Sequence, residues 1–118
     1  MNRIIKIMAV VSLALSPVAA LAHAMLDRAS PKVGSSSPTA PREVVLWFTE
    51  KLEPAFSTIE VHSSDGSVVS SGKARVQAGN ELHVALKALG PGAYKVIWHV
   101  LSVDTHRTQG DFSFRVGP

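Results

Sequence analysis

The chain has 118 residues, 46% hydrophobic, 18% charged and 6% aromatic, with no cysteine; these proportions fit one small globular domain and neither a disordered tail nor a disulfide scaffold. Without Cys there is no thiolate zinc site, iron–sulfur cluster or thiol nucleophile, so any chemistry falls to His, carboxylates, Met or the chain terminus. Twelve Lys and Arg stand against nine Asp and Glu, and two of the basic residues belong to a leader, which leaves a balance of +1 and no nucleic-acid footprint.

Residues 1–22 read as a secretory signal peptide. Arg3 and Lys6 precede an apolar run from Ile7 to Leu15, and Ser16-Pro17 then leads to the small-residue cleavage signal Ala20-Leu21-Ala22. The apolar run is about half of the roughly 20 residues that a transmembrane helix needs. Cleavage after Ala22 leaves residues 23–118, beginning with His23, and no later segment is apolar for long enough to span a membrane. A domain of this size buries one core and leaves no room for a large substrate cleft.

From His23 to Pro41 the chain is rich in Pro, Ser and Gly, which limits regular structure to a short edge strand around Ala24 to Arg28. Glu43 to Glu50 is dense in β-branched and aromatic residues on both alternating faces, the pattern of an internal sandwich strand. Ser57 to His62 alternates, Asp65-Gly66 is a hairpin turn, and Ser67 to Ser70 leaves it. Glu81 to Leu86 places Leu82, Val84 and Leu86 on one face. After Gly90-Pro91-Gly92, the residues Tyr94, Val96, Trp98 and Val100 form another apolar face, and Gly110 to Val116 turns Phe112, Phe114 and Val116 inward. About seven strands without helical periodicity predict an all-β, antiparallel Greek-key β-sandwich or barrel of immunoglobulin-like type. Trp47, Trp98, Phe112 and Phe114 are expected in its core.

Five histidines are the main chemical handles. The alternation puts His62 and His83 on polar strand faces, solvated, and His99 beside Lys95 and Ile97, exposed or partly packed. His106 differs, because it follows Asp104 by two where the apolar strand gives out. Residues i and i+2 of an extended chain share a side about 6.5 Å apart, close enough for a carboxylate and an imidazole to converge on one ion. Alone, that spacing fits a surface Asp–His hydrogen bond better than a metal site. Cleavage after Ala22 adds a second feature, since a terminal His23 offers an α-amine and an imidazole that close a chelate ring on a metal. Two kinds of nitrogen with one carboxylate suit the tetragonal preference of Cu(II). Glu50, at the end of the strand carrying Leu46 and Phe48, is either an outer hydrogen-bond acceptor for a ligand N–H or a solvent-facing strand end beside Lys51. Met25, the one methionine after the leader, is expected to pack on the edge strand.

In this order, His23-Ala24, Ser30-Pro31, Leu46-Trp47-Phe48-Thr49-Glu50-Lys51-Leu52, Phe56-Ser57, Asp65-Gly66, Gly92-Ala93-Tyr94-Lys95-Val96-Ile97-Trp98, Ser102-Val103-Asp104-Thr105-His106 and Gly110-Asp111-Phe112-Ser113-Phe114 resemble the CopC-like periplasmic copper-resistance proteins over essentially all of residues 23–118. The resemblance implies a Greek-key β fold and one Cu(II) per chain, held by the amine and imidazole of His23 with Asp104 and His106. It also implies a periplasmic location and, as partners, an inner-membrane copper permease or other periplasmic copper carriers. The chain departs from the family at Thr105, where Gly is frequent. Some members carry a Met-rich loop for Cu(I), and Met25 alone cannot form such a site, so the Cu(II) half of the resemblance carries over.

The function expected is a soluble, monomeric Cu(II)-binding protein that buffers, sequesters or delivers copper without catalysis. Two rivals stay open: a copper monooxygenase built on a terminal-histidine brace, and an immunoglobulin-like structural module whose histidines are incidental. No Gly-x-Ser-x-Gly elbow supports a hydrolase triad.

Overall fold

A computed structural model describes residues 26–117. The leader, the cleavage position, His23 and Met25 lie outside the described residues. Within them the strands are β1 (Leu26–Ser30), β2 (Ser36–Ser37), β3 (Glu43–Phe48), β4 (Thr58–Ser63), β5 (Ser70–Gln77), β6 (Glu81–Leu86), β7 (Gly92–Leu101) and β8 (Arg107–Val116), with a 3₁₀ turn at Pro54–Phe56. They form two four-stranded sheets, ordered β1-β3-β6-β5 and β2-β8-β7-β4. The chain changes sheet at every connection except β5–β6 and β7–β8, so the expected all-β sandwich with Greek-key crossings is the observed fold. The pairing is antiparallel throughout except for β2, which lies parallel to β8.

The apolar alternation of β3 explains its internal place. Val44, Leu46 and Phe48 point into the core, while Val45 is also buried on the opposite face. Leu82 and Val84 of β6, Ile59 and Val61 of β4, Val96, Trp98 and Val100 of β7, and Phe112 and Phe114 of β8 complete the inner layer. Phe48 meets Trp98 edge to face across the two sheets, with ring centroids 5.3 Å apart, and Tyr94 stacks on Phe114 within one sheet at 5.5 Å. Trp98 lies directly over Gly110, its cross-strand partner. A Cβ at that glycine would come within 2.6 Å of the indole ring.

Three expectations need correction. β2 raises the strand number to eight, and the strand expected to leave the Asp65-Gly66 turn over Ser67 to Ser70 runs instead over Ser70–Gln77 as β5. β5 is largely polar, carries a register shift between Ser71 and Arg75, and turns through Gly72 at φ +77°, so no clean alternation marks it. Trp47 is not a core residue. It sits half-buried on the outer face of β3, where the Arg28 guanidinium stacks 3.9 Å from its ring centroid.

Candidate metal centre

β7 and β8 form a long hairpin whose last cross-strand pair is Leu101 with Arg107. Residues 102–106 close it as a turn held by its own polar groups. The Thr105 N–H donates to the Ser102 carbonyl at 2.9 Å, and the Ser102 N–H donates to the His106 carbonyl at 2.9 Å. Thr105 adopts φ +73°, the left-handed region that a β-branched residue enters only with strain. Glycine would occupy that region freely.

Ser102 is fully buried. Its hydroxyl donates to the Asp104 carboxylate and accepts the His106 N–H at 3.2 Å. Asp104 and His106 project from the turn with their side chains 56% and 75% exposed, and His106 Nδ1 lies 3.9 Å from Asp104 Oδ1. Two donors each about 2 Å from one ion stand at most about 4 Å apart, so this gap can be spanned by a single metal. The Ser102 hydroxyl holds the Asp104 carboxyl below the usual carboxylate range; burial opposes it by less, and the Glu50 side chain, the His106 N–H and the His106 ring add smaller lowering effects. The turn therefore presents an ionised oxygen beside an accessible imidazole.

Glu50 reaches this place by a route different from the one the strand pattern implied. β3 ends at Phe48, and the chain bends before residues 51–53 run antiparallel to residues 101–103. The Val103 N–H donates to the Lys51 carbonyl at 2.9 Å, the Glu53 N–H to the Leu101 carbonyl at 2.8 Å, and Leu52 pairs with Ser102. That short ladder sets Glu50 beside Asp104. β1 begins at the same end, since Leu26 lies opposite Phe48 at the close of β3.

The other histidines are disposed differently. His83 is not solvated: its side chain is only 11% exposed, with Nε2 at 3.1 Å from Glu81 Oε1 and Nδ1 at 3.3 Å from Glu43 Oε1. It is flanked across strands by Val45 and Arg75, and Arg75 reaches back to Glu43. Four side chains therefore roof a histidine that the strand pattern left facing solvent. His62 is partly buried and pairs with Glu60 at 2.9 Å, and His99 is exposed as expected. Among the described residues no three His, Asp or Glu side chains gather into a metal-holding group; Asp104 and His106 contribute two donors. Ser102 was missed from the sequence, although a serine two before the aspartate and four before the histidine, at the last apolar strand position, was a usable signal.

A family model described as the CopC domain matches residues 26–117. Copper resistance protein C of Xanthomonas campestris pv. juglandis is 34% identical over 114 residues, covering 90% of this chain and 89% of that protein. Protein YobA of Escherichia coli strain K12 is 35% identical over 98 residues, covering 80% and 79%. The crystal structure of CopC from Methylosinus trichosporium OB3b superposes with a TM-score of 0.75 at 36% identity and covers 81% of this chain and 95% of that one. No helix among the described residues is long and apolar enough to cross a membrane.

Proposed function

This chain belongs to the CopC family, and from that premise we propose that it is a periplasmic copper-binding protein that holds one Cu(II) and buffers, sequesters or delivers it without catalysis. The ligands in this reading are the α-amine and imidazole of His23, exposed by cleavage after Ala22, together with Asp104 and His106. Glu50 stands behind Asp104 as a further carboxylate. The observation that carries the reading is the Asp104–His106 pair, 3.9 Å apart and open to solvent, at the end of the sandwich where β1 begins.

The reach is sufficient. Leu26 is the third residue after His23, and three extended residues span at most about 10 Å. The donor set also fits the ion, since nitrogen and carboxylate oxygen suit a tetragonal Cu(II), and a dication is balanced by the ionised Asp104 with Glu50 nearby. A copper centre on a turn that rises above the core exchanges its cargo with partners such as an inner-membrane permease or another carrier without unfolding the domain.

The test is a Cu(II) titration of the processed protein beside a version carrying one extra residue before His23. The extension takes the amine off the chelate and should lower the affinity by several powers of ten at unchanged fold. Affinity in the parent should also fall as pH drops from about 8 to 5, because protons compete with a metal for amine and imidazole nitrogens. Equal binding by the extended form would remove His23 from the site.

A further inference from the structure

The two ligand side chains on the β7–β8 turn are exposed, so packing against the core cannot set their directions. Ser102 can. It is fully buried, its backbone is fixed by pairing with Leu52, and its hydroxyl touches both halves of the pair, as donor to the Asp104 carboxylate and as acceptor from the His106 N–H at 3.2 Å. A hydroxyl has one proton to give. Although the His106 carbonyl lies 3.3 Å away, an ionised carboxylate is the stronger acceptor, and the proton goes there.

We infer that Ser102 is the positioning residue of the copper site, a buried anchor that fixes the Asp104 carboxylate relative to His106 and so pre-forms two of the ligands before the ion arrives. The inference rests on the placement of copper at Asp104 and His106 argued above. Ligand orientation by an outer hydrogen-bond partner costs about 10–100-fold in metal affinity when removed. It acts by sparing the ion the work of ordering two exposed side chains.

Residues 63–67 supply an internal control. Ser63 likewise donates to Asp65 two residues on, in a turn at the far end of the same sheet, and Ser63→Ala should leave copper binding unchanged. Ser102→Ala should weaken Cu(II) binding by about 10–100-fold and alter the hyperfine pattern of the bound Cu(II) in electron paramagnetic resonance, which a general loss of stability would not do. In an Asp104→Asn background the same Ser102→Ala step should lose most of its effect. An equal effect in both backgrounds would make Ser102 a structural residue only and overturn the inference. Parent-like affinity and spectrum in Ser102→Ala would also overturn it, provided His106→Ala loses copper. Parent-like binding by His106→Ala and Asp104→Ala would instead defeat the copper placement itself. Should Ser102→Ala not fold, Ser102→Thr keeps the hydroxyl and should retain the parent spectrum; a folded Ser102→Thr binding as weakly as His106→Ala would overturn the inference.

Discussion

Residues 63–67 and 102–106 make one turn twice, at opposite ends of the sheet that contains β4, β7 and β8. In each, a serine carbonyl accepts the N–H three residues on at 2.9 Å, and the same serine N–H bonds the carbonyl four residues on at 2.9 Å. A serine hydroxyl donates to the aspartate at the third place, and the fourth residue has positive φ, +89° at Gly66 and +73° at Thr105. The copies differ in the last residue, Ser67 against His106, and in their surroundings, since only the second has Glu50 brought beside its aspartate. The turn itself is thus a scaffold that closes on local hydrogen bonds and specifies no ligand. In the proposed site, binding capacity would come from an imidazole at the fifth place and from which chain segments the fold delivers alongside.

That contrast can be broken most directly by His106→Ala. Copper affinity should drop by more than the roughly 100-fold expected for losing a mere supporting partner, while the thermal midpoint stays put because the side chain is exposed. Ser67→Ala in the twin turn should change neither. Equal copper binding by His106→Ala and the parent would make the two turns equivalent.

His83→Ala should show the reverse pattern. Removing a buried ring that meets two carboxylates costs about 1–3 kcal/mol, read by urea unfolding, with copper affinity intact. A loss of copper instead would move the site to the outer face of the other sheet.

The fourth position sharpens the comparison further. A left-handed L-residue costs about 1–2 kcal/mol, and glycine returns about 0.5–1 kcal/mol of that as lost backbone freedom, so Thr105→Gly should stabilise the metal-free protein by about 0.5–1 kcal/mol. Gly66→Thr should destabilise it. Destabilisation by Thr105→Gly would show that the threonine side chain earns its place through a contact stronger than its strain.

The smallest effect concerns acid. Hydrogen bonds from the Ser63 hydroxyl, the Ser67 N–H and the Ser67 hydroxyl lower the Asp65 pKa from 3.8 to about 2. A depressed folded-state value means that the stabilisation is complete above the unfolded value and is lost as pH falls from about 4 toward 2. Because the carboxylate is exposed the change is slight. Asp65→Asn should flatten that part of the acid limb in unfolding curves measured at pH 5, 3 and 2, and an identical slope in both proteins would contradict the assignment.

Much of this architecture was legible because it rests on alternation. β3, β4, β6, β7 and the inward half of β8 follow from period-two apolar patterns, and Asp65-Gly66 marks its turn by residue type alone. β5 was not legible, since a Gly-containing edge strand with a bulge breaks the period that would reveal it. At the site, the spacing of Asp104 and His106 showed that the two side chains could share one side of the chain, and only a terminal His23 turned that pair into a metal reading. The position of Glu50 was not, because it depends on a ladder between residues 51–53 and 101–103 that links segments fifty residues apart in sequence. His83 misled for a related reason: alternation tells which face a side chain takes, not whether Glu43 and Arg75 from the neighbouring strands will join Glu81 in roofing it. Trp47 likewise reads as core by composition but stands outside, where Arg28 covers it.

β2 has a consequence for how this domain tolerates company. Its two residues lie parallel along the end of β8, and the Gly34 N–H to Ser113, Arg115 N–H to Ser35 and Gly117 N–H to Ser37 bonds, all 2.8–2.9 Å, occupy the outward-facing backbone groups there. Bare strand borders are templates on which a second chain can add and fibres can grow. With this stretch already occupied by the chain's own loop, an incoming strand would first have to displace it, so resistance to aggregation along the last residues of β8 is supplied by a segment that is almost all turn.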